Sequence, residues 1–234
     1  MNQDSFIKAL ADLNIFITED QLKQLYKYYE LLVEKNKVMN LTGITEVDQV
    51  YLKHFYDSLT LNKIIDLENV NSLCDVGTGA GFPGLVIKIL FPHINVTLVD
   101  SLNKRINFLN EVINELKLEG IEAIHARAEE FAIKNREKYD VVTARAVTTL
   151  NVLSEFCLPL VKKNKYFIPM KANINNEIEE SNRALKVLGG KIEKIIEFKL
   201  PVENSNRTLV LIKKEVKTNN KYPRKFSEIK KRPL

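Results

Sequence analysis

The chain has no tryptophan, two cysteines and three histidines in 234 residues. Cys74 and Cys157 can close at most one disulfide, and neither stands in a paired spacing with a histidine, so neither a disulfide-stapled scaffold nor a metal site is expected. Each lies in an apolar run and reads as a small buried hydrophobe. No uninterrupted run of about 18 apolar residues occurs, which argues against a membrane span. Residues 1–10 carry acid and amide groups where a secretory signal would start basic and turn apolar, so the expectation is a cytoplasmic protein without a membrane partner. Glycine and proline are also sparse, at eight and seven, which excludes collagen-like and low-complexity chains. Acidic residues run short at one end. Residues 213–234 hold nine basic side chains against two acidic ones, which leaves the remaining chain slightly negative. Such a segment binds polyanions through counterion release or serves as a solubilising end.

What is present fits a globular α/β chain, with 45% hydrophobic and 28% charged residues. Thr18 and Gln21 have the spacing of a capping box, and Leu22, Leu25, Tyr26, Tyr29, Leu32 and Val33 then recur at three and four, which predicts a helix over 19–38. Weaker versions of that period predict helices over 2–13 and 47–65. From residue 71 short apolar runs alternate with longer amphipathic ones. Strands are expected at 72–76, 95–100, 121–126, 139–144, 165–171, 191–199 and 207–213, with helices at 82–91, 102–118, 128–135, 149–161 and 174–188. Gly189 and Gly190 stop the last helix. This alternation implies a doubly wound, mostly parallel sheet of about seven strands. The final two strands, joined by a short polar link, form a hairpin. Residues 1–68 are then a helical cap, 69–214 the Rossmann-like domain and 215–234 a basic tail.

The densest signal is Cys74-Asp75-Val76-Gly77-Thr78-Gly79-Ala80-Gly81-Phe82-Pro83-Gly84, where the first strand gives way to a helix. Open α/β sheets bind ligands at that edge, and glycines let backbone approach a ligand closely. Pro83 suits the first helical turn. Gly79 to Gly84 satisfies the dinucleotide pattern, with Asp100 about 20 residues on for a ribose. A pyrophosphate at the helix start would be repelled by Asp75, however, whereas a cationic sulfonium and ammonium tolerate it. S-adenosylmethionine is therefore preferred over NAD, with Asp100 on the ribose and Ala128 and Glu129 near the adenine.

Arg127, Arg145 and Lys171 fall at or just beyond strand ends on the same edge and imply a negatively charged substrate. After the fourth strand Ala144-Arg145-Ala146 stands where an amino methyltransferase would carry an Asn or Asp, two prolines and an aromatic. An exocyclic amine must lose a proton on alkylation, whereas a ring nitrogen such as guanine N7 presents a lone pair and needs no base.

With these segments stand Asn36-Lys37-Val38-Met39-Asn40-Leu41-Thr42, His54-Phe55-Tyr56-Asp57-Ser58-Leu59, Asp100-Ser101-Leu102-Asn103-Lys104-Arg105 and Arg127-Ala128-Glu129-Glu130. Together they make the chain resemble, nearly end to end, the bacterial small-subunit ribosomal RNA guanine-N7 methyltransferases, historically the glucose-inhibited division protein B family. The resemblance implies a class I S-adenosylmethionine-dependent methyltransferase fold. It implies methylation of N7 of one guanine in the decoding-region loop of 16S ribosomal RNA; the expected partner is that RNA or the small-subunit particle, with the chain expected to be a monomer. The family's cofactor contacts fall on Gly77, Phe82, Ala128, Glu129 and Arg145. Asp75, Gly79, Gly81 and Asp100 join them from the loop and ribose chemistry. Arg145 is the expected catalytic residue, acting by positioning without a general base. Arg127, Lys171, Arg207, Arg224 and Lys225 are the expected RNA contacts. His54, Asp57 and Ser58, at helical spacings, read either as catalytic groups or as a polar network joining cap to sheet. The chain departs from the family's habit at Lys35, where a Trp is common, and at Phe226-Ser227-Glu228-Ile229, where a Pro/Gly turn usually follows Pro-Arg-Lys. The rival expectations are an NAD-dependent oxidoreductase and a non-catalytic RNA-binding or cell-division factor on the same fold.

Overall fold

The computed structural model describes residues 1–174 and 176–234. Asn175, inside the helix expected at 174–188, lies outside the described residues. Helix α1 (Gln3–Ala11) starts at Asn2, whose side chain accepts the Ser5 amide, and α2 (Glu19–Met39) starts on the Thr18–Gln21 capping box that the sequence predicts. Asn40 closes α2 in the left-handed region, at φ 51°.

The helix expected over 47–65 is not a single α-helix. It runs as α3 (Val47–Val50), a π-helical turn (Tyr51–Tyr56), α4 (Asp57–Leu59) and a 3₁₀ turn (Thr60–Lys63). Hydroxyls compete with its backbone ladder: Ser58 Oγ donates to the His54 carbonyl at 2.6 Å, and Thr60 Oγ1 donates to the Asp57 carbonyl. The wider turn lies where His54 and Asp57 meet the sheet.

The alternating part follows the expected order: β1 (Ser72–Val76), α5 (Gly84–Leu90), β2 (Asn95–Asp100), α6 (Asn103–Glu115), β3 (Ile121–His125), α7 (Ala128–Lys134), β4 (Tyr139–Arg145), α8 (Leu150–Cys157), β5 (Val161–Lys171), α9 (Glu177–Leu188), β6 (Gly190–Lys199) and β7 (Asn206–Lys214). The sheet order is β3-β2-β1-β4-β5-β7-β6, and β7 runs antiparallel to both neighbours. Helix α5 begins two residues later than expected, with Pro83 as its cap, because the Gly81 and Phe82 amides turn back onto the Thr78 carbonyl.

Strand residues alternate between two apolar layers. Leu73, Leu98, Val141, Ile168 and Leu209 share one cluster with the cap helices, α5 and α6. Cys74, Val99, Val142, Phe167 and Val210 share the other with α7, α8 and α9.

The basic tail joins that second layer. Tyr222 and Ile229, the latter in α10 (Phe226–Lys231), are buried in it. Lys214 Nζ, also buried, donates to the Leu158 carbonyl and to Thr218. Arg136 binds the carbonyls of Thr218 and Tyr222. Among the described residues, no helix is long and apolar enough to cross a membrane.

Candidate active site

At the C-terminal edge of β1 the chain doubles back through the glycine loop, and most of the loop's donors are already engaged. Gly77 and Thr78 amides bond the Val99 carbonyl. The Gly79 amide donates to Asp100 Oδ2 at 3.0 Å, while Thr78 Oγ1 and the Gly84 amide both donate to Asp75 Oδ2, at 2.7 and 2.9 Å. A phosphate would need those same N–H groups. Two carboxylates hold them instead, so the loop is built to sit beside positive charge, and the dinucleotide expectation fails here. Asp75 is fully buried, and its other oxygen has no hydrogen-bond partner in the protein. Burial pushes its carboxyl up to about 6, against the pull of the Thr78 and Gly84 hydrogen bonds. Beneath the loop this acid favours a ligand that brings positive charge over one that brings phosphates.

Above the loop lies a cavity of about 560 Å³. Val76 at the end of β1 and Gly77 just after it, Asp100 from β2, and Ala126 to Glu129 beyond β3 line it, and Ala146 and Val147 close it on the β4 side. Gly77 sits at φ +72°, and a Cβ there would come 2.8 Å from Val147 Cγ2, so this position needs glycine. Asp100 also receives the Leu102 amide at 2.9 Å and Arg105 at 3.1 Å.

A second cavity, of about 520 Å³, opens between the cap and the sheet, lined among others by His54, Asp57, Arg145, Lys171 and Arg207. Its charges are paired. Asp57, buried, accepts from Arg145 Nη1 at 3.2 Å and from Arg207 Nε at 2.8 Å, so one carboxylate ties α4 to the ends of β4 and β7. Arg145 also donates to the Lys53 carbonyl at 3.0 Å and lies over the Phe82 ring, 5.3 Å from its centroid. His54 stacks on the same ring at 4.4 Å, and its Nε2 pairs with Thr42 Oγ1 at 2.8 Å. Burial first, then the Arg145 charge, lowers the His54 pKa to about 3, so the imidazole is neutral at ordinary pH. Lys171 is paired with Glu177 at 2.8 Å.

The expected cofactor residues are therefore split. Gly77, Asp100, Ala128 and Glu129 line the first cavity; Asp75, Gly79 and Gly81 build the loop beneath it. Phe82 and Arg145 do not line it. Phe82 is packed between His54 and Tyr28, and Arg145 belongs to the second cavity. His54, Asp57 and Ser58 form the polar network between cap and sheet.

Of the expected RNA contacts, Arg127 and Lys225 are exposed, whereas Lys171 and Arg207 are paired inside the second cavity. Arg224 is engaged within the protein. It donates through its amide, Nε and Nη2 to both oxygens of Glu155, a side chain with no exposed surface, and so it anchors the tail instead of offering a free cation. Sequence reasoning missed Phe156 and Phe226 on the first cavity, because nothing in local periodicity brings α10 to that edge.

The residues from 21 to 210 match the family model described as rRNA small subunit methyltransferase G. The chain is 53% identical over 237 residues to the ribosomal RNA small subunit methyltransferase G of Bacillus licheniformis, covering all of this chain and 99% of the relative. It is 52% identical to the protein of that name from Exiguobacterium sibiricum, covering both chains fully. Among solved structures, a SAM-dependent methyltransferase from Aquifex aeolicus superposes with a TM-score of 0.54 at 18% identity, over 77% of this chain and 97% of that one, which shows the shared fold. With a loop made for a cation and a sheet of this order, the chain belongs to the rRNA small subunit methyltransferase G family and is an S-adenosylmethionine-dependent methyltransferase.

Proposed function

We propose that the chain methylates N7 of a guanine in the decoding-region loop of 16S ribosomal RNA, in the cytoplasm, holding S-adenosylmethionine in the first cavity and the acceptor base in the second. One observation carries this reading: among the described residues, Ala146 alone lines both cavities, so the cavity above the glycine loop and the one that holds Arg145 and Arg207 adjoin at that residue. When bound, the cofactor supplies an electrophilic methyl group on a sulfonium. The chain's own residues then have to orient two partners and keep water away.

Among the described residues, the titratable groups of the second cavity that could take a proton already have partners. His54 is neutral but already hydrogen-bonded to Thr42, and Asp57 is held between two guanidinium groups. That suits an acceptor whose lone pair is free at the start. Arginine commonly reads guanine through O6 and N7 together, so only a single hydrogen bond to O6 would leave the N7 lone pair open. Arg145, fixed by Asp57 and the Lys53 carbonyl, and Arg207 border the cavity that would take that edge. Arg127 and the exposed lysines of α10 supply backbone-phosphate contacts.

The test is incubation with S-adenosylmethionine and either free 16S RNA or small-subunit particles, followed by aniline cleavage and mass mapping of the modified nucleotide. N7-methylguanine in the decoding-region loop is expected. Methylation at an exocyclic amine, or none on either substrate, would sink the reading.

A further inference from the structure

The matched family region stops at residue 210, yet the first cavity does not. Phe226, the first residue of α10, lies on its wall beside Phe156 of α8, with ring centroids 6.4 Å apart and planes at 21°. The Arg127 guanidinium lies over the Phe226 ring at 5.6 Å, and Arg127 itself borders the cavity between Ala126 and Ala128. We infer that Phe226 is a cofactor-binding residue supplied by the C-terminal tail, forming the aromatic wall against which the adenine of S-adenosylmethionine packs.

Three features of the molecule support this. The first is position. Phe226 is held by Arg127 next to the segment beyond β3, whereas the cation-seeking acids of the loop lie toward β1. A ligand with a charged end and a flat aromatic end would place its ring on the Phe226 side. The second is anchoring. The residue two before Phe226 is Arg224, clamped on the wholly buried Glu155, while Tyr222 and Ile229 are buried on either side, so the ring is presented by a fixed segment. The third is that Phe226 stays partly exposed and borders the cavity even with Arg127 and Phe156 against its ring. Removing an aromatic platform under a base weakens its binding about ten-fold.

The inference rests on the first cavity being the cofactor site, and calorimetry on the full-length protein separates the two. Wild-type, Phe226→Ala and Phe226→Tyr chains are titrated with S-adenosylmethionine and with S-adenosylhomocysteine, and their melting curves are recorded without ligand. The expected result is a loss of about ten-fold in affinity for both ligands in Phe226→Ala, near wild-type affinity in Phe226→Tyr, and little change in melting. Arg224→Lys, which loosens the tail without emptying the Glu155 site of charge, should fall between. Unchanged affinity in a folded Phe226→Ala chain overturns the inference and leaves the cofactor site standing. Failure of the wild-type chain to bind either ligand overturns both.

Discussion

Arg145 ends β4 with its guanidinium 3.2 Å from the Asp57 carboxylate, 88 residues earlier in the chain, and so faces the cap instead of the loop cavity. Replacing Arg145 by lysine keeps the charge but loses the planar fork that reaches Asp57 and the Lys53 carbonyl together. The single-turnover rate should fall by about one to two orders of magnitude with cofactor affinity unchanged, since orientation contributes on that scale. A Kd for S-adenosylmethionine that rises in step with the lost rate would move Arg145 back to the cofactor.

Asp57→Ala should be costly to stability as well as to rate. It leaves two guanidinium groups, both mostly buried, without their shared anion. Breaking such a pair costs about 3 to 5 kcal/mol, and urea unfolding measures it. A loss under 1 kcal/mol would mean that solvent already compensates both arginines.

His54 and Asp75 should impose opposite pH slopes. The folded pKa of His54 is lowered to about 3 from 6.5, so the unfolded chain holds the extra proton between those values. Its stabilising contribution is complete above pH 6.5 and is lost as pH falls toward 3. Asp75 is raised to about 6 from 3.8, so the folded chain holds the extra proton there. That contribution is complete below pH 3.8 and is lost as pH rises through 6. Each proton changes stability by about 1.4 kcal/mol per pH unit, so the two offset one another between about pH 4 and 6. Relative to wild type, His54→Phe should lose stability with rising pH in that window and Asp75→Asn should gain it. Urea midpoints at three pH values decide, and parallel profiles for all three chains would reject the assignment.

Methyl transfer at saturating cofactor should be independent of pH from about 6.5 to 8.5, below the ordinary range of lysine and with His54 neutral throughout. A unit slope in log rate, abolished by His54→Ala, would show that a proton is removed and that the acceptor is not a ring nitrogen.

Two glycines of the loop should respond differently to alanine. A Cβ on Gly81 would fall 2.6 Å from Tyr28 Oη and 2.8 Å from Leu85 Cδ1, at φ +107°, whereas one on Gly79 meets nothing within 4 Å. Gly81→Ala should therefore lose about 2 to 3 kcal/mol from overpacking and strain, and Gly79→Ala about 1 kcal/mol from its positive φ alone. Equal melting temperatures for the two variants would contradict this.

The strands and most helices were legible because their signals are local: short apolar runs in the strands, the Thr18–Gln21 box, and Gly189 at φ 83° after α9. The acids beside the glycines were legible as charge that would repel a phosphate; that Asp75 and Asp100 also take up loop amides a phosphate would want was not. What stayed hidden depends on partners distant in sequence. The tail's excess charge reads as a solvated run, yet Glu155, 69 residues before Arg224, takes its first arginine into the protein. The family resemblance makes Phe82 a cofactor contact, but His54 and Tyr28, from two different segments of the cap, stack against its ring. A spacing rule carries no information about such pairs.

Ala146, at φ 53°, lines both cavities, so on the proposed assignment a substitution there touches donor and acceptor compartments together. Change at that position cannot tune one compartment alone. Drift in substrate range is then confined to positions that border one side only, such as Ser101 for the donor and Leu209 for the acceptor.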